Sequence, residues 1–195
     1  MLDKNPEQII DKDISGIQIK FEQNNPNIVL CSKPFHKMEF LDKLISSTEE
    51  PIIYVDMDLL YSGYVASEMI QKKDNLTIFC PDKTDWEKKL SEIICKISNE
   101  RFLVIIDSFN GMNNLFDDLE SARFINSCIM LLSSIGNYTK SSVLITGMAR
   151  KKDDKDWVLS PGGRHIIKSE KTGVYYLKKN QNDLIISSLN NSGID

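Results

Sequence analysis

Seven short apolar runs recur along the 195-residue chain, and longer stretches of mixed polarity separate them. Short runs rich in Val and Ile are typical of strands, whereas the longer stretches carry apolar residues at helical spacing. This alternation predicts βαβ units and a mostly parallel sheet. The predicted strands are Asn27 to Cys31, Ile52 to Asp56, Leu76 to Phe79, Phe102 to Asp107, Ser142 to Thr146, Gly173 to Leu177 and Leu184 to Ser188.

The polarity of the runs indicates where each strand lies in the sheet. Continuously apolar runs such as Phe102 to Asp107 predict central strands that are covered on both faces. The last two runs are mixed in polarity and predict an antiparallel hairpin at one edge, turning at residues 180–183. We therefore expect an α/β fold, a three-layer αβα sandwich, in a single domain over residues 1–195. Segments 1–15, 150–161 and 190–195 are polar, and we expect them to be flexible.

Composition excludes some classes of protein. No apolar run approaches the roughly 20 residues that cross a bilayer, and no secretory leader pattern is present, so we expect a cytoplasmic protein without a membrane partner. The cysteines form no C-x-x-C pair and lie mostly in apolar runs, which predicts reduced core residues rather than a metal site or disulfides. They are Cys31, Cys80, Cys95 and Cys128.

Charge is distributed unevenly along the chain. Residues 140–180 contain ten basic and four acidic side chains, a net charge of +6. Because the whole chain has a net charge of −4, the remaining residues together carry −10. This asymmetry indicates a face suited to a polyanion or to an acidic partner, although such a run is also compatible with an ordinary solvated surface.

The segment after the first strand has the register of a phosphate-binding P-loop, G-x-x-x-x-G-K-[ST], but retains only its lysine, Lys37. Cys31 and His36 replace the glycines, and Met38 replaces the hydroxyl that binds magnesium. We therefore expect no bound ATP or Mg²⁺ and no enzymatic activity. Alternatively, Lys37 is a surface lysine at a helix start. The predicted residues of the loop are Ser32, Lys33, His36, Lys37 and Met38.

Three acids follow predicted strands and are candidates for the remainder of a nucleotide site. Asp107 ends an apolar run of Walker B form, where the carboxylate would hold magnesium through water. Asp56 ends a competing run of the same form, and Asp58 could serve as a general base. The alternatives are a strand-terminal cap for Asp107 and a solvated carboxylate for Asp58. Two histidines are too few to predict a metal site.

In this order, these features resemble the RecA superfamily over roughly residues 25–190, in particular the archaeal and eukaryotic recombinases, their short paralogues and the KaiC-like proteins. The acidic D-T-E motif of that family is similar to residues 56–58, and its Walker B Asp-Ser to Asp107 and Ser108. Its T-N-Q sensor corresponds to residues 146–148, where Met148 replaces the glutamine. The Gly-Gly pair at 162–163, followed by a Tyr-Tyr-Leu-Lys-Lys strand, is the most specific part of the resemblance.

The resemblance implies a RecA-like domain with a degenerate Walker A loop, in which a DNA-binding loop matches residues 150–161. The superfamily also includes non-catalytic members, such as the RecA-like subunits of the Elongator complex, which form a ring and contact transfer RNA. By this resemblance, the present chain would act in recombination, repair or RNA modification.

We consider three functions for such a chain. The first is a non-catalytic subunit that binds DNA or RNA through a basic C-terminal face and assembles with itself or with an active paralogue. The second is an assembly module without nucleic-acid binding, and the third is a residual NTPase that uses Lys37, Asp58 and Asp107. Trp157, Tyr175 and Tyr176 are candidates for stacking on bases, or are structural residues. The predicted nucleic-acid-binding residues are Arg150, Lys151, Lys152, Lys155, Trp157, Arg164, His165 and Lys168.

Overall fold

The computed structural model describes residues 9–11, 14–116, 121–152, 156–159, 166–180 and 183–188. Strands and helices alternate over most of this length, as the run pattern predicts. The strands are β1 (Ile9–Asp11), β2 (Asn27–Cys31), β3 (Ile52–Asp56), β4 (Leu76–Phe79), β5 (Leu103–Asp107), β6 (Ser142–Lys152), β7 (Asp156–Leu159), β8 (Gly173–Asn180) and β9 (Asp183–Ser188). The helices are α1 (Ile14–Gln23), α2 (Pro34–Ser47), α3 (Leu60–Ala66), α4 (Trp86–Asn99), α5 (Phe109–Leu115) and α6 (Ser121–Thr139).

The strands form one mostly parallel sheet in the order β1-β9-β8-β2-β6-β5-β3-β4. The six strands from β8 to β4 are parallel to one another. β9 is antiparallel to β8, and β1 is antiparallel to β9. The predicted C-terminal hairpin is thus confirmed, and β1 adds one more strand outside it.

Helices cover both faces of the sheet and bury two apolar clusters. One cluster packs α4, α5 and α6 against one face and includes Trp86 and Phe109. The other packs α1, α2 and α3 against the opposite face and includes Phe40 and Tyr54. The continuously apolar strands β2, β3 and β5 are buried along their whole length because both of their faces are covered. The predicted three layers are confirmed.

The prediction that residues 150–161 form a loop is wrong for the part that the structure describes, because that part consists of strands. β6 continues to Lys152, well past the predicted end at Thr146, and pairs antiparallel with β7. Ala149 and Leu159 are register partners at the base of this ribbon, and both are buried. Beyond Met148, β6 pairs only with β7 among the described strands, and such backbone pairing is not revealed by the apolar pattern from which strands are predicted.

Within residues 1–15, Ile9–Asp11 forms β1 and pairs with β9, and the flexibility expected for residues 1–15 stays a prediction. The prediction for residues 190–195 lies outside the described residues. Phe102 immediately precedes β5 instead of opening it. Within the described ranges, no helix is both long and apolar enough to cross a bilayer.

All four cysteines lie in the described part of the chain and are free thiols. Cys31 and Cys128 are buried, as predicted, but Cys95 is exposed on α4 and Cys80 is only half-buried. The core prediction is therefore wrong for Cys95, because apolar neighbours in sequence alternate between the two sides of an amphipathic helix.

Candidate functional site

Four parallel strands run side by side to the carboxyl edge of the sheet. β2 ends at Cys31, β3 at Asp56 and β5 at Asp107, while β6 passes the same level at Met148. Asp56 and Asp107 are register partners, as are Cys31 and Met148. Because open parallel sheets bind ligands beyond this edge, the segments that follow these residues form the candidate site.

The connection between β2 and α2 is too short to be a phosphate-binding loop. Only Ser32 and Lys33 lie between the strand and the helix, and Pro34 begins the helix. Proline lacks an N–H, but the first residue of a helix makes no helical hydrogen bond through its N–H, so nothing is lost there. The other three predicted loop residues lie in α2: His36, Lys37 and Met38. A P-loop surrounds phosphate with several successive backbone N–H groups, and a two-residue connection does not supply them.

Lys37 is buried at this edge, so the alternative of a surface lysine is wrong. Its side chain is 2% exposed, and its Nζ lies 2.6 Å from Asp107 Oδ1 and 2.9 Å from Asp58 Oδ2. Burial lowers the pKa of Lys37, but the charges of Asp107 and Asp58 outweigh burial and raise it overall. Lys37 is therefore a cation at neutral pH. The structure brings together the three candidates that the sequence indicated separately.

Asp107 accepts three hydrogen-bonding or ionic contacts although its side chain is fully buried. Tyr54 Oη donates to Oδ2 at 2.6 Å, and Thr146 Oγ1 donates to Oδ1, the oxygen that also contacts Lys37, at 2.5 Å. Burial first, and then the charge of Asp107, raises the pKa of Tyr54 well above its usual value. Asp107 is thus the centre of a buried polar cluster and not a strand-terminal cap.

Tyr54 was not among the sequence candidates, and Thr146 was considered only as part of the sensor motif. Each residue lies on a strand adjacent to β5: Tyr54 on β3 and Thr146 on β6. The available signal was a hydroxyl side chain near the end of each neighbouring strand. That signal becomes specific only once the strand order is known.

Asp58 joins the β3–α3 connection to the start of α5. Its Oδ2 accepts from Ser108 Oγ at 2.8 Å as well as from Lys37. Ser108 caps α5 by accepting from Gly111 N. The Asp58 side chain is 27% exposed and ion-paired, so the alternative of a freely solvated carboxylate is wrong.

Asp56, the competing Walker B candidate, lies outside this ion-pair cluster. Its Oδ2 accepts from Ser62 N at 2.7 Å, whereas Oδ1 is buried without a hydrogen-bond partner among the described residues. Burial raises the pKa of this carboxyl. Asp56 therefore anchors the start of α3, and it is Asp107 that Lys37 contacts.

Met148, at the position of the sensor glutamine, makes one backbone hydrogen bond and one contact between sulfur atoms. Met148 N donates to Asn110 Oδ1 at 2.7 Å, and the Cys31 thiol packs against the Met148 sulfur. Burial raises the pKa of Cys31 to about 12, so this thiol is protonated at neutral pH. Cys31 therefore fills space beside Lys37 as a small neutral side chain.

These residues do not fit Mg-ATP bound in the P-loop mode. The lysine that would reach the outer phosphates is ion-paired with both acids, and the connection before α2 lacks the N–H cradle. With two carboxylates against one ammonium, Lys37, Asp58 and Asp107 carry a net negative charge, which repels phosphate. Among the described residues, no group of three His, Cys, Asp or Glu side chains could hold a metal ion.

Basic residues lie along the same edge, on three adjacent strands. Arg150 is exposed on β6, Lys33 is exposed after β2, and Lys178 and Lys179 are half-exposed on β8. Since the strand order is β8-β2-β6, these residues all lie at the carboxyl edge of three neighbouring strands. We call this set, together with Lys151 and Lys152 on β6, the basic edge.

The structure places only part of the predicted nucleic-acid-binding set. Lys151, Lys152 and Trp157 lie on the β6–β7 ribbon, and Lys168 is half-buried before β8. Tyr175 and Tyr176 are 2% and 4% exposed, so of the two alternatives given for them the structural one is correct. The side chain of Trp157 lies outside the described set, as do Lys155, Arg164 and His165 entirely.

One cleft among the described residues lies at the opposite edge of the sheet. It has a volume of about 310 Å³ and lies between the α1–α2 side and the amino ends of β5 and β6. Arg101 at its rim is paired with Glu22 at 2.6 Å and Glu50 at 2.7 Å. None of the residues that line this cleft belongs to the Lys37 cluster.

No family model matches the chain, and no curated protein matches it significantly. Solved structures do match. The chain is similar to a solved structure described as an ATPase domain, with 11% identity, a TM-score of 0.60, and coverage of 97% of this chain and 87% of that one. It is similar to a DnaB-like replicative helicase, described with its interactions with primase, at 11% identity and a TM-score of 0.57, covering 89% of this chain and 54% of that one.

The RadB recombinase is a third structure to which the chain is similar, with 11% identity, a TM-score of 0.52, and coverage of 84% of this chain and 81% of that one. The chain thus has the fold of RecA-like ATPase domains, and the predicted fold is confirmed. Identity this low shows the fold alone, and function has to be argued from the site.

Proposed function

We propose that this chain is a non-catalytic RecA-like subunit that binds nucleic acid through the basic edge. The position of Lys37 supports the absence of catalysis, since its ammonium is 2.6 Å from Asp107 and 2.9 Å from Asp58. To bind phosphate, Lys37 would have to leave both acids, and Asp107 would then be a buried and uncompensated charge. The residual NTPase is accordingly the weaker alternative.

The basic edge supports the proposed binding of nucleic acid. Lysine and arginine side chains bind phosphates of any sequence, and a line of them along one edge suits a continuous polyanion better than a single small anion. Lys152 is the register partner of Asp156, whereas Arg150 and Lys151 lie opposite Val158 and Trp157. Two of the solved structures with this fold are named as a replicative helicase and a recombinase.

Fluorescence polarisation with a labelled single strand of nucleic acid tests both the nucleic-acid binding and the absence of nucleotide binding. We expect affinity to fall steeply between about 50 mM and 200 mM salt, because phosphate contacts release counterions. Replacing Arg150, Lys151 and Lys152 by glutamine should lower the slope of log K against log salt by roughly two, at about 0.7 per contact. Addition of Mg-ATP should leave both quantities unchanged.

The matched control has the same charge change elsewhere: Lys72, Lys73 and Lys96 to glutamine, all exposed and away from the basic edge. This control should bind like the unchanged protein. Salt-independent binding, or equal losses in the two triple variants, would contradict nucleic-acid binding through the basic edge. A clear change in affinity on adding Mg-ATP would contradict the absence of nucleotide binding.

Assembly is a second candidate function, and the surface of α6 favours it. Phe124, Leu131 and Tyr138 are spaced by seven residues on one helix face and are 40%, 45% and 91% exposed. A repeat of this kind is typical of helices that pack on a partner. We expect the protein to self-associate and Leu131→Glu to shift it toward monomer, as measured by light scattering over a wide range of concentration. A monomer at every concentration would count against self-assembly.

A further inference from the structure

Phe35 is an exposed aromatic side chain in the first turn of α2, at the carboxyl edge. It is 69% exposed, although a phenyl ring gains stability by burial. Phe35 belongs to the segment that resembles a P-loop, yet neither the ion-pair cluster nor the core uses it. An isolated exposed aromatic is ordinary on a protein surface, so its surroundings decide whether it has a role.

Those surroundings are basic. Lys179 Nζ lies 5.8 Å from the centre of the Phe35 ring, and Glu39 positions this lysine at 2.7 Å. Lys33 is exposed two residues before Phe35. On the other side of β8, Lys178 Nζ lies over the Tyr176 ring, and the Tyr176 hydroxyl donates to Ser32 Oγ. The exposed Phe35 ring thus has Lys179 of β8 beside it, and Lys33, which follows β2, lies two residues before it in sequence.

This combination matches the chemistry of single-stranded nucleic acid. Proteins that bind single strands without sequence preference pair a basic groove with aromatic rings on which unpaired bases stack. Phenylalanine suits stacking because it has few rotatable bonds and any base presents a π-face to it. In a duplex the bases are already stacked on one another, so an exposed ring gains nothing from them.

We propose that Phe35 is a stacking platform for an unpaired base, with Lys33 and Lys179 on the flanking phosphates, and that the basic edge therefore prefers single strands to duplexes. This inference rests on the proposed nucleic-acid binding and adds the form of the ligand. The segment that holds a nucleotide in a P-loop protein here binds one nucleotide unit of a polymer. Stacking occurs on the exposed face of the ring and leaves the Lys37 cluster closed.

The test compares strands with and without bases. Fluorescence polarisation is measured for thymidine and uridine oligomers of about twelve nucleotides, for an abasic strand of the same length, and for a duplex. We expect Phe35→Ala to weaken binding of the base-containing strands about fivefold to tenfold. Binding of the abasic strand and of the duplex should not change, nor should the salt slope, because no phosphate contact is lost. Phe35→Trp should retain full affinity.

Met69→Ala is the matched control, since Met69 is 72% exposed and apolar but lies after α3. It should have no effect on any strand. If the unchanged protein binds single strands and Phe35→Ala binds them equally well, the stacking platform is refuted while the proposed function stands. If the unchanged protein binds no strand, or binds polyglutamate as tightly as the oligomers, both are refuted. The tighter of the thymidine and uridine oligomers identifies DNA or RNA.

Discussion

Lys37→Ala should destabilise the protein by about 3 to 5 kcal/mol, because it removes one partner of a buried ion pair. Asp107 would remain fully buried, with only the hydroxyl donors of Tyr54 and Thr146 to compensate its charge. Urea unfolding measures the loss. The pKa of Lys37 is raised in the folded state, so the stabilisation is present throughout neutral pH and is lost only as pH rises through that pKa. The deficit of the variant should therefore be constant from neutral pH to mildly alkaline pH.

The control for this prediction lies on the same helix. Lys43 pairs with Glu39 at 3.1 Å but is 48% exposed, so Lys43→Ala should cost no more than about 0.5 kcal/mol. Combining Lys37→Met with Asp107→Asn removes both buried charges and should recover at least half of the loss. Equal stabilities for Lys37→Ala and Lys43→Ala would show that the buried ion pair contributes nothing.

Gly111→Ala should destabilise the protein by about 2 to 3 kcal/mol, although alanine is the better helix former. A Cβ at Gly111 would lie 2.5 Å from Asp58 Oδ1, 2.7 Å from Met57 Cβ and 3.0 Å from the Met57 backbone carbon. Asp58 cannot move away without loosening its bonds to Lys37 and Ser108. Relief of the clash would therefore displace α5 or break the cluster, and urea unfolding measures the cost.

Gly63→Ala is the matched control, since this glycine also lies in a short helix, α3, and a Cβ there would meet nothing within 4 Å. It should stabilise the protein by about 0.5 to 1 kcal/mol through helix propensity alone. A stabilised Gly111→Ala variant would contradict the close approach of α5 to Asp58.

The central strands could be predicted to the residue, whereas the ribbon could not. β2 and β3 begin and end where their apolar runs do, because burial on both faces requires apolar residues at every position. β4 also matches its run, although it is the edge strand and Thr77 is exposed. β6 and β7 pair beyond the sheet through backbone hydrogen bonds, which do not require apolar side chains. β1 likewise forms by backbone pairing with β9, and no apolar periodicity in the sequence predicts this strand.

The charged residues of the candidate site were indicated by the sequence, but Tyr54 and the arrangement of the cluster were not. Lys37, Asp58 and Asp107 could be selected because each matches a position of a nucleotide-binding motif. The motif register also predicted a loop from Ser32 to Met38, but Pro34 starts the helix after only two residues. Phe35 carried no signal in the sequence, since it matches no conserved position of the P-loop motif and its exposure follows from the start of α2 at Pro34.

The sequence by itself determined the layers of the fold, the absence of glycine from residues 31–38 and the accumulation of basic residues between 140 and 180. Composition and periodicity are local properties and can be counted along the chain. Only the tertiary structure decided that Lys37 is held between two acids, and that Phe35 is exposed beside Lys179. Both depend on which strands are neighbours, since the strand order brings together side chains that are distant in sequence and excludes water from the charges among them.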